Sequence, residues 1–228
     1  MSVLTQATGV VYPDTDGQPM AENTVQYRWI VTIVSGLDHL FADDPNVFVA
    51  GDLLWYPVEG NSGISVAPDA LVALGRPKGD RSSYLQWEEG GIAPQVVFEV
   101  LSPSNQSGDK LAFYDRYGVE EFYEYDPDRL KFRAWQRDLD GRLEPVDERA
   151  GGWRSPKLGL RFVLGDEGLE VIRPDGERFK TVPEIMEKLD AVTVERDAVT
   201  AERDAARQRA ERLATRMREL GLDPDAVL

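Results

Sequence analysis

Pro68-Asp69-Ala70-Leu71-Val72-Ala73-Leu74 and Gln95-Val96-Val97-Phe98-Glu99-Val100-Leu101 decide the fold. Each is an almost uninterrupted apolar run of strand length, the pattern of a strand buried on both faces. Each also carries one carboxylate. Asp69 follows a proline at the head of its run, which puts it at the open end of a sheet, and Glu99 stands among Phe98, Val100 and Leu101. A charge in such a strand needs a basic partner or a solvent-facing edge. Two convergent carboxylates repel each other unless a cation lies between them.

Upstream of these runs, Val25, Trp29, Ile30, Ile33, Val34, Leu37, Leu40 and Phe41 recur at intervals of three and four, which predicts an amphipathic helix over 22–41. Asp43-Asp44-Pro45-Asn46 breaks it. Val47–Ala50 and Leu53–Tyr56 then read as extended and are expected to pair as a hairpin before the turn-rich Glu59–Gly63. Downstream, Lys110–Tyr117 has helical spacing, and Glu121–Tyr125 returns to strand until Asp126-Pro127-Asp128 stops it. Helix, strands, crossover helix and strand compose an α/β core. From Lys131 to Phe179, short strands alternate with turns at Asp138–Gly141, Gly151-Gly152 and Pro174–Gly176, a β-rich appendage on that core.

Beyond Pro183 there is no glycine or proline until Gly221, and Ala191–Asp197 is nearly repeated as Ala198–Asp204. A seven-residue repeat is the mark of a coiled coil. One seam row holds Val192, Val199, Ala206, Leu213 and Leu220; the other holds Leu189, Arg196, Arg203, Ala210 and Met217. The two arginines weaken the seam, and a solvated helix is the alternative reading. Asp223-Pro224-Asp225 ends the segment.

Composition narrows the chemistry. The 228 residues, 42% of them hydrophobic, suit one domain of ordinary size plus a tail. There is no cysteine, which excludes disulfides, thiolate catalysis and cysteine-ligated zinc. The single histidine, His39, leaves room for a Ser-His-Asp triad but not for a multi-histidine metal site, and its place late in a helix reads as structural or superficial. Neither Gly-x-Gly-x-x-Gly nor Gly-x-x-x-x-Gly-Lys occurs, which sets aside a nucleotide-cofactor enzyme. Hydrolysis by this chain must therefore use carboxylates, lysine and a hard metal ion. The amino terminus has no basic region followed by an apolar run, and the longest apolar stretches are far below membrane-spanning length, so a cytoplasmic protein is expected.

The net charge of −15 works against phosphate binding, so a nucleic-acid enzyme built on this chain needs a local basic patch or a bound cation. The most basic stretch of the globular part is Gly75–Trp87, with Arg76, Lys78 and Arg81 between the two decisive strands; it reads as a DNA-facing loop or as a solvated one. Lys110 opens the helix after the second strand and can lean back over the ends of both strands. Two carboxylates and an ammonium are the groups that phosphodiester hydrolysis calls for.

Ala67-Pro68-Asp69, Val96–Pro103 with Glu99 inside it, Lys110-Leu-Ala-Phe-Tyr114 and Tyr117–Pro127, together with Asn46–Pro57 and Gly75–Arg81, resemble the Uma2 (DUF820) family of restriction-endonuclease-like proteins, from about Pro19 to Phe162. The resemblance implies a PD-(D/E)XK nuclease domain over 1–182, with a mixed sheet flanked by helices, followed by a helical or coiled-coil segment over 183–222 and a tail over 223–228. It implies a Mg²⁺- or Mn²⁺-dependent endonuclease acting on DNA. Asp69 and Glu99 would be the metal ligands and Lys110 the residue that positions water. Glu22 matches an amino-terminal family glutamate and would be an auxiliary acid, although an acidic residue also favours a helix N-terminus for its own sake.

The superfamily lysine usually stands two residues after the glutamate, where this chain has Leu101; in Uma2 proteins it moves to the next helix, four residues before a tyrosine, as in Lys110 and Tyr114. The stretch Asn105–Lys110 is shorter than the family spacing, and Gln106 stands where an acidic residue is usual. Homo-oligomerisation through the tail would let two sites address two strands. The rival class is a catalytically silent nuclease fold that serves as a protein-interaction or nucleic-acid-binding module.

Overall fold

The computed structural model describes residues 4–5, 10–102, 108–146, 152–221 and 223–224. The shortened stretch Asn105–Lys110 with Gln106, the first glycine of Gly151-Gly152 and the end of the tail fall wholly or partly outside the described residues. The chain divides into two compact units, residues 1–181 and 182–228. No helix among the described residues is long and apolar enough to cross a membrane.

The elements in chain order are β1 (Leu4–Thr5), β2 (Val11–Tyr12), α1 (Thr24–Leu40), β3 (Val47–Ala50), β4 (Trp55–Tyr56), β5 (Ala70–Leu74), β6 (Tyr84–Leu85) and β7 (Val96–Val100). There follow α2 (Gly108–Tyr117), β8 (Glu121–Asp126), β9 (Lys131–Arg137), β10 (Leu143–Pro145), β11 (Trp153–Arg154), β12 (Arg161–Gly165), β13 (Gly168–Ile172) and α3 (Val182–Glu219). A six-stranded mixed sheet, ordered β10-β9-β8-β7-β5-β3, forms the centre, and only β7 and β8 run parallel, joined by the α2 crossover. As expected from their continuous apolar runs, β5 and β7 are interior strands, and every residue of β7 is buried.

Side-chain alternation gives the sheet two unlike faces. Val72, Val96, Phe98 and Val100 join Ile30, Ile33 and Leu37 of α1, and β12 and β13 close over the same face with Phe162, Leu169 and Val171. Leu71, Val97 and Phe122 turn the other way and join Trp55 and Tyr114, the latter from α2. Burying each such Leu, Val or Phe contributes roughly 1.5–3 kcal/mol, which offsets the charges this sheet also buries.

α1 starts at an Asn23 N-cap, whose side chain accepts from the Val25 and Gln26 N–H groups at 2.9 and 2.8 Å. His39 is exposed in its last turn, where a basic group suits the helix dipole. Gly36 lies where a Cβ would meet the Phe179 ring at 2.3 Å, so this mid-helix glycine lets the end of the globular unit pack against α1.

The hairpin expected of Val47–Ala50 with Leu53–Tyr56 does not form. β3 pairs antiparallel with β5, from Val47↔Leu74 to Ala50↔Leu71, while β4 pairs in parallel with β6. The cause is the Gly51-Asp52 turn: Asp52 takes a left-handed φ of 50° and donates its N–H to the Pro68 carbonyl, and Trp55 exchanges both backbone bonds with Val66. The chain therefore leaves the sheet. The β-rich region also divides differently from its outline in sequence, since β9 and β10 extend the central sheet and the separate three-stranded sheet begins at Trp153.

α3 is a helix of 38 residues with no buried residue, and Val192, Val199, Leu213 and Leu220 are all exposed. The seam arginines bond to the aspartates that follow them, Arg196 to Asp197 and Arg203 to Asp204.

Candidate active site

Extending the β5–β7 register by one residue beyond Ala70↔Phe98 sets Asp69 opposite Glu99, on the face that α2 covers. Asp69 is 7% exposed, and its Oδ2 accepts the Val100 N–H at 2.6 Å. Glu99 is 1% exposed, with Oε2 accepting from Lys110 Nζ at 2.7 Å and Oε1 from the Tyr114 hydroxyl at 2.5 Å. Lys110 and Tyr114 are one turn apart on α2, so the helix lays an ammonium and a phenol over one carboxylate.

The electrostatics follow from burial. The Asp69 carboxyl is held well above the ordinary aspartate range, first by desolvation and then by the charge of Glu99; the Val100 N–H and Lys110 offset this only in part. Burial likewise raises Glu99, against the pull of the Lys110 charge and the hydrogen bonds from Lys110 and Tyr114. For Lys110, desolvation works against the ammonium, but Glu99, with Asp69 and Asp52 behind it, outweighs that and keeps it above the usual lysine range. Tyr114, wholly buried against Glu99, is held protonated.

Glu22 reaches the same strand end by another route. Its Oε2 accepts from the Ser102 hydroxyl, and its backbone N–H donates to Gln26 Oε1 at 2.8 Å. Gln26 in turn donates to the Val100 carbonyl at 2.8 Å, which fastens the start of α1 to the end of β7. Among the described residues no three His, Cys, Asp or Glu side chains gather as a metal cluster.

The basic loop is placed elsewhere. Asp69 precedes β5 and Arg76 follows it, so about 17 Å of strand separates them. Arg76 and Arg81 both bond to buried Glu89, at 2.8 and 2.6 Å, and the Arg81 guanidinium lies 3.8 Å over the Phe48 ring. Burial would raise the Glu89 carboxyl, but the hydrogen bonds and charges of the two arginines prevail and hold it low. Lys78 is exposed, its backbone N–H bonded to the Pro45 carbonyl.

Over residues 9–165 the chain matches the family Uma2, described as "Putative restriction endonuclease". The chain belongs to the Uma2 family. No curated protein matches it. Among solved structures it is similar to a "putative nuclease belonging to DUF820 from Anabaena variabilis ATCC 29413", at 16% identity and a TM-score of 0.47, over 70% of this chain and 86% of that one.

This Uma2 chain carries two further acids on the site's side that the sequence reading did not single out. Asp52 lies in the turn after Gly51, where a Cβ would meet the Asp69 carbonyl at 3.3 Å. Its carboxyl is pushed up by desolvation and by Asp16, and pulled back by Lys110. Glu124 stands on β8 directly opposite Glu99 and is 1% exposed. The available signal was its charge within Glu-Phe-Tyr-Glu-Tyr-Asp, overshadowed there by the aromatics.

Proposed function

We propose that this chain is a metal-dependent endonuclease that hydrolyses DNA phosphodiester bonds, with Asp69, Glu99 and Lys110 as its working groups and Glu22 as an auxiliary acid. The observation that carries the reading is the meeting of Asp69, Glu99 and Lys110 at one end and on one face of the central sheet. That arrangement supports a PD-(D/E)XK site in which the lysine has moved onto α2.

A divalent ion fits the residues present. Asp69 and Glu99 offer only hard oxygen donors, and a cation between them relieves the repulsion that raises Asp69. Mg²⁺ is commonly held by one or two carboxylates together with water and substrate phosphate, so a three-carboxylate cluster is not required. Bound by Asp69 and Glu99, Mg²⁺ or Mn²⁺ would polarise the scissile phosphate and make an attacking water more acidic. Lys110 orients that water and offsets the charge that develops on the phosphate oxygens. Tyr114 holds Glu99 from its other oxygen and fixes the rotamer to which Lys110 is bonded.

Nicking of supercoiled plasmid tests the reading. The purified chain is expected to nick with Mg²⁺ or Mn²⁺ and to stop in EDTA; a folded protein that leaves plasmid intact with either ion would overturn it. A silent nuclease fold that acts as a protein-interaction module is the second reading, favoured by the commitment of Arg76 and Arg81 to Glu89, which takes two cations of the basic loop away from phosphate.

The heptads of α3 support self-association with a second copy. Glu195 and Glu202 directly precede the seam residues Arg196 and Arg203, and in a parallel pair each glutamate would face the partner helix's arginine. Because the chain has no cysteine, Val199→Cys is a clean probe. A parallel, in-register pair is expected to give a disulfide-linked dimer under mild oxidation, whereas sedimentation as a monomer without cross-linking would sink the idea.

A further inference from the structure

An acidic chain that binds nucleic acid needs positive charge beside its site, and two of the three loop cations are already committed to Glu89. The sheet supplies another. Glu99 is opposite Glu124 across the parallel β7–β8 pair, and Glu124 is opposite Arg133 across the antiparallel β8–β9 pair. Directly opposite residues share a face. Asp69, Glu99, Glu124 and Arg133 thus form a row across four strands, under the face that Lys110 also covers.

The inner and outer members of this row differ in exposure. Glu124 is 1% exposed, whereas the Arg133 side chain is 42% exposed. Glu124 Oε1 bonds to Arg133 Nη2, while Glu124 Oε2 and Arg133 Nε are both buried without a partner. A pair that serves the sheet alone would be expected to close both bonds of the carboxylate–guanidinium fork and to bury the guanidinium. Here one bond is made and the cation stays at the surface. Its position is limited on the other side by Trp135, whose ring centroid is 5.7 Å from the guanidinium carbon. A buried carboxylate with an orphan oxygen is costly, and Glu99 in the neighbouring strand adds like-charge repulsion. The arrangement is accounted for if Glu124 acts to aim Arg133 outward.

We propose that Arg133, held by Glu124, binds a backbone phosphate of nucleic acid next to the phosphate that the Asp69–Glu99–Lys110 site addresses. The placement relative to a reacting phosphate rests on the function proposed above; the binding itself does not. Two strand spacings, about 10 Å, separate the Cα atoms of Glu99 and Arg133 along the row, a flanking position rather than a central one. Guanidinium is suited to the task because its fork can meet two phosphate oxygens at once. Glu124 is a positioning residue.

The test is fluorescence anisotropy of a labelled duplex oligonucleotide in EDTA over a range of salt, with plasmid nicking measured in parallel. Arg133→Ala alone would leave Glu124 buried and unpaired, so the informative variant is the neutral pair Arg133→Gln with Glu124→Gln, its folding checked by circular dichroism. That variant is expected to bind about tenfold more weakly, with a salt slope shallower by about one. Glu124→Gln alone, which keeps the cation but loosens its hold, is expected to fall between the wild type and the pair.

Unchanged affinity and slope in the folded pair overturns the proposal, even if the wild type nicks DNA. Loss of slope in a chain that never nicks upholds the subsite and removes the nuclease reading. A wild type that binds no duplex at low salt overturns the subsite outright.

Discussion

Lys110→Met is expected to lower metal-dependent nicking by about 10²- to 10³-fold, the usual cost of removing one preorganised donor from a developing phosphate charge. The same change acts on stability through Glu99, which is 1% exposed and bonded to Lys110 Nζ at 2.7 Å. Removing the cation leaves a buried carboxylate with Tyr114 as its remaining partner, and breaking a buried pair from one side costs about 3–5 kcal/mol. The pH dependence has a definite sign. Burial already raises Glu99, and losing Lys110 raises it further. The penalty is then felt where Glu99 must be ionised, and it fades as pH falls and the carboxyl takes up its proton. Chemical denaturation of wild type and variant at neutral and at acid pH reads this directly: the gap should narrow in acid. A gap that is constant with pH would mean that methionine acts by packing alone and that Glu99 is not the group Lys110 serves.

Much of this site was legible because two different signals fell on the same residues. Asp69 and Glu99 were conspicuous as charges in runs that otherwise had to be buried on both faces, and the spacing of Lys110 and Tyr114 placed both on one side of a helix. Local periodicity carries that information. It does not carry the choice of partner. The stretch Val47–Ala50 was read correctly as a strand, but its mate is β5 rather than the nearer Trp55–Tyr56, because a single left-handed residue, Asp52, redirects the chain. Arg76 and Arg81 looked like loop cations for the same reason: Glu89, the carboxylate that takes both, is brought to them by the turns after β6. Glu124 was missed because its meaning depends on register, and only pairing with β7 and β9 sets it between Glu99 and Arg133.

The same contest between function and stability sets the outcome for Asp69→Asn. This variant is expected to lose metal-dependent nicking while becoming more stable than the wild type. Asparagine keeps an oxygen that can accept the Val100 N–H, so the link between the head of β5 and the end of β7 survives. What it removes is a charge that desolvation and Glu99 both oppose. Because the folded carboxyl titrates above its ordinary value of 3.8, the wild type loses stability as pH rises from that value through the folded one. Below that window both proteins carry a neutral group, and their stabilities should converge. Above it the variant gains about 1.4 kcal/mol for each pH unit between the two titrations, or roughly 2–4 °C in Tm per kcal/mol. Thermal melts in EDTA at acid and neutral pH measure the gain, and repeating them with Mg²⁺ adds a separate readout. A site shaped for a cation should let Mg²⁺ raise the wild-type Tm and leave Asp69→Asn unmoved. Equal responses in both proteins would place any bound ion elsewhere, and a variant less stable at neutral pH would mean that the Asp69 charge is held by the fold for its own sake.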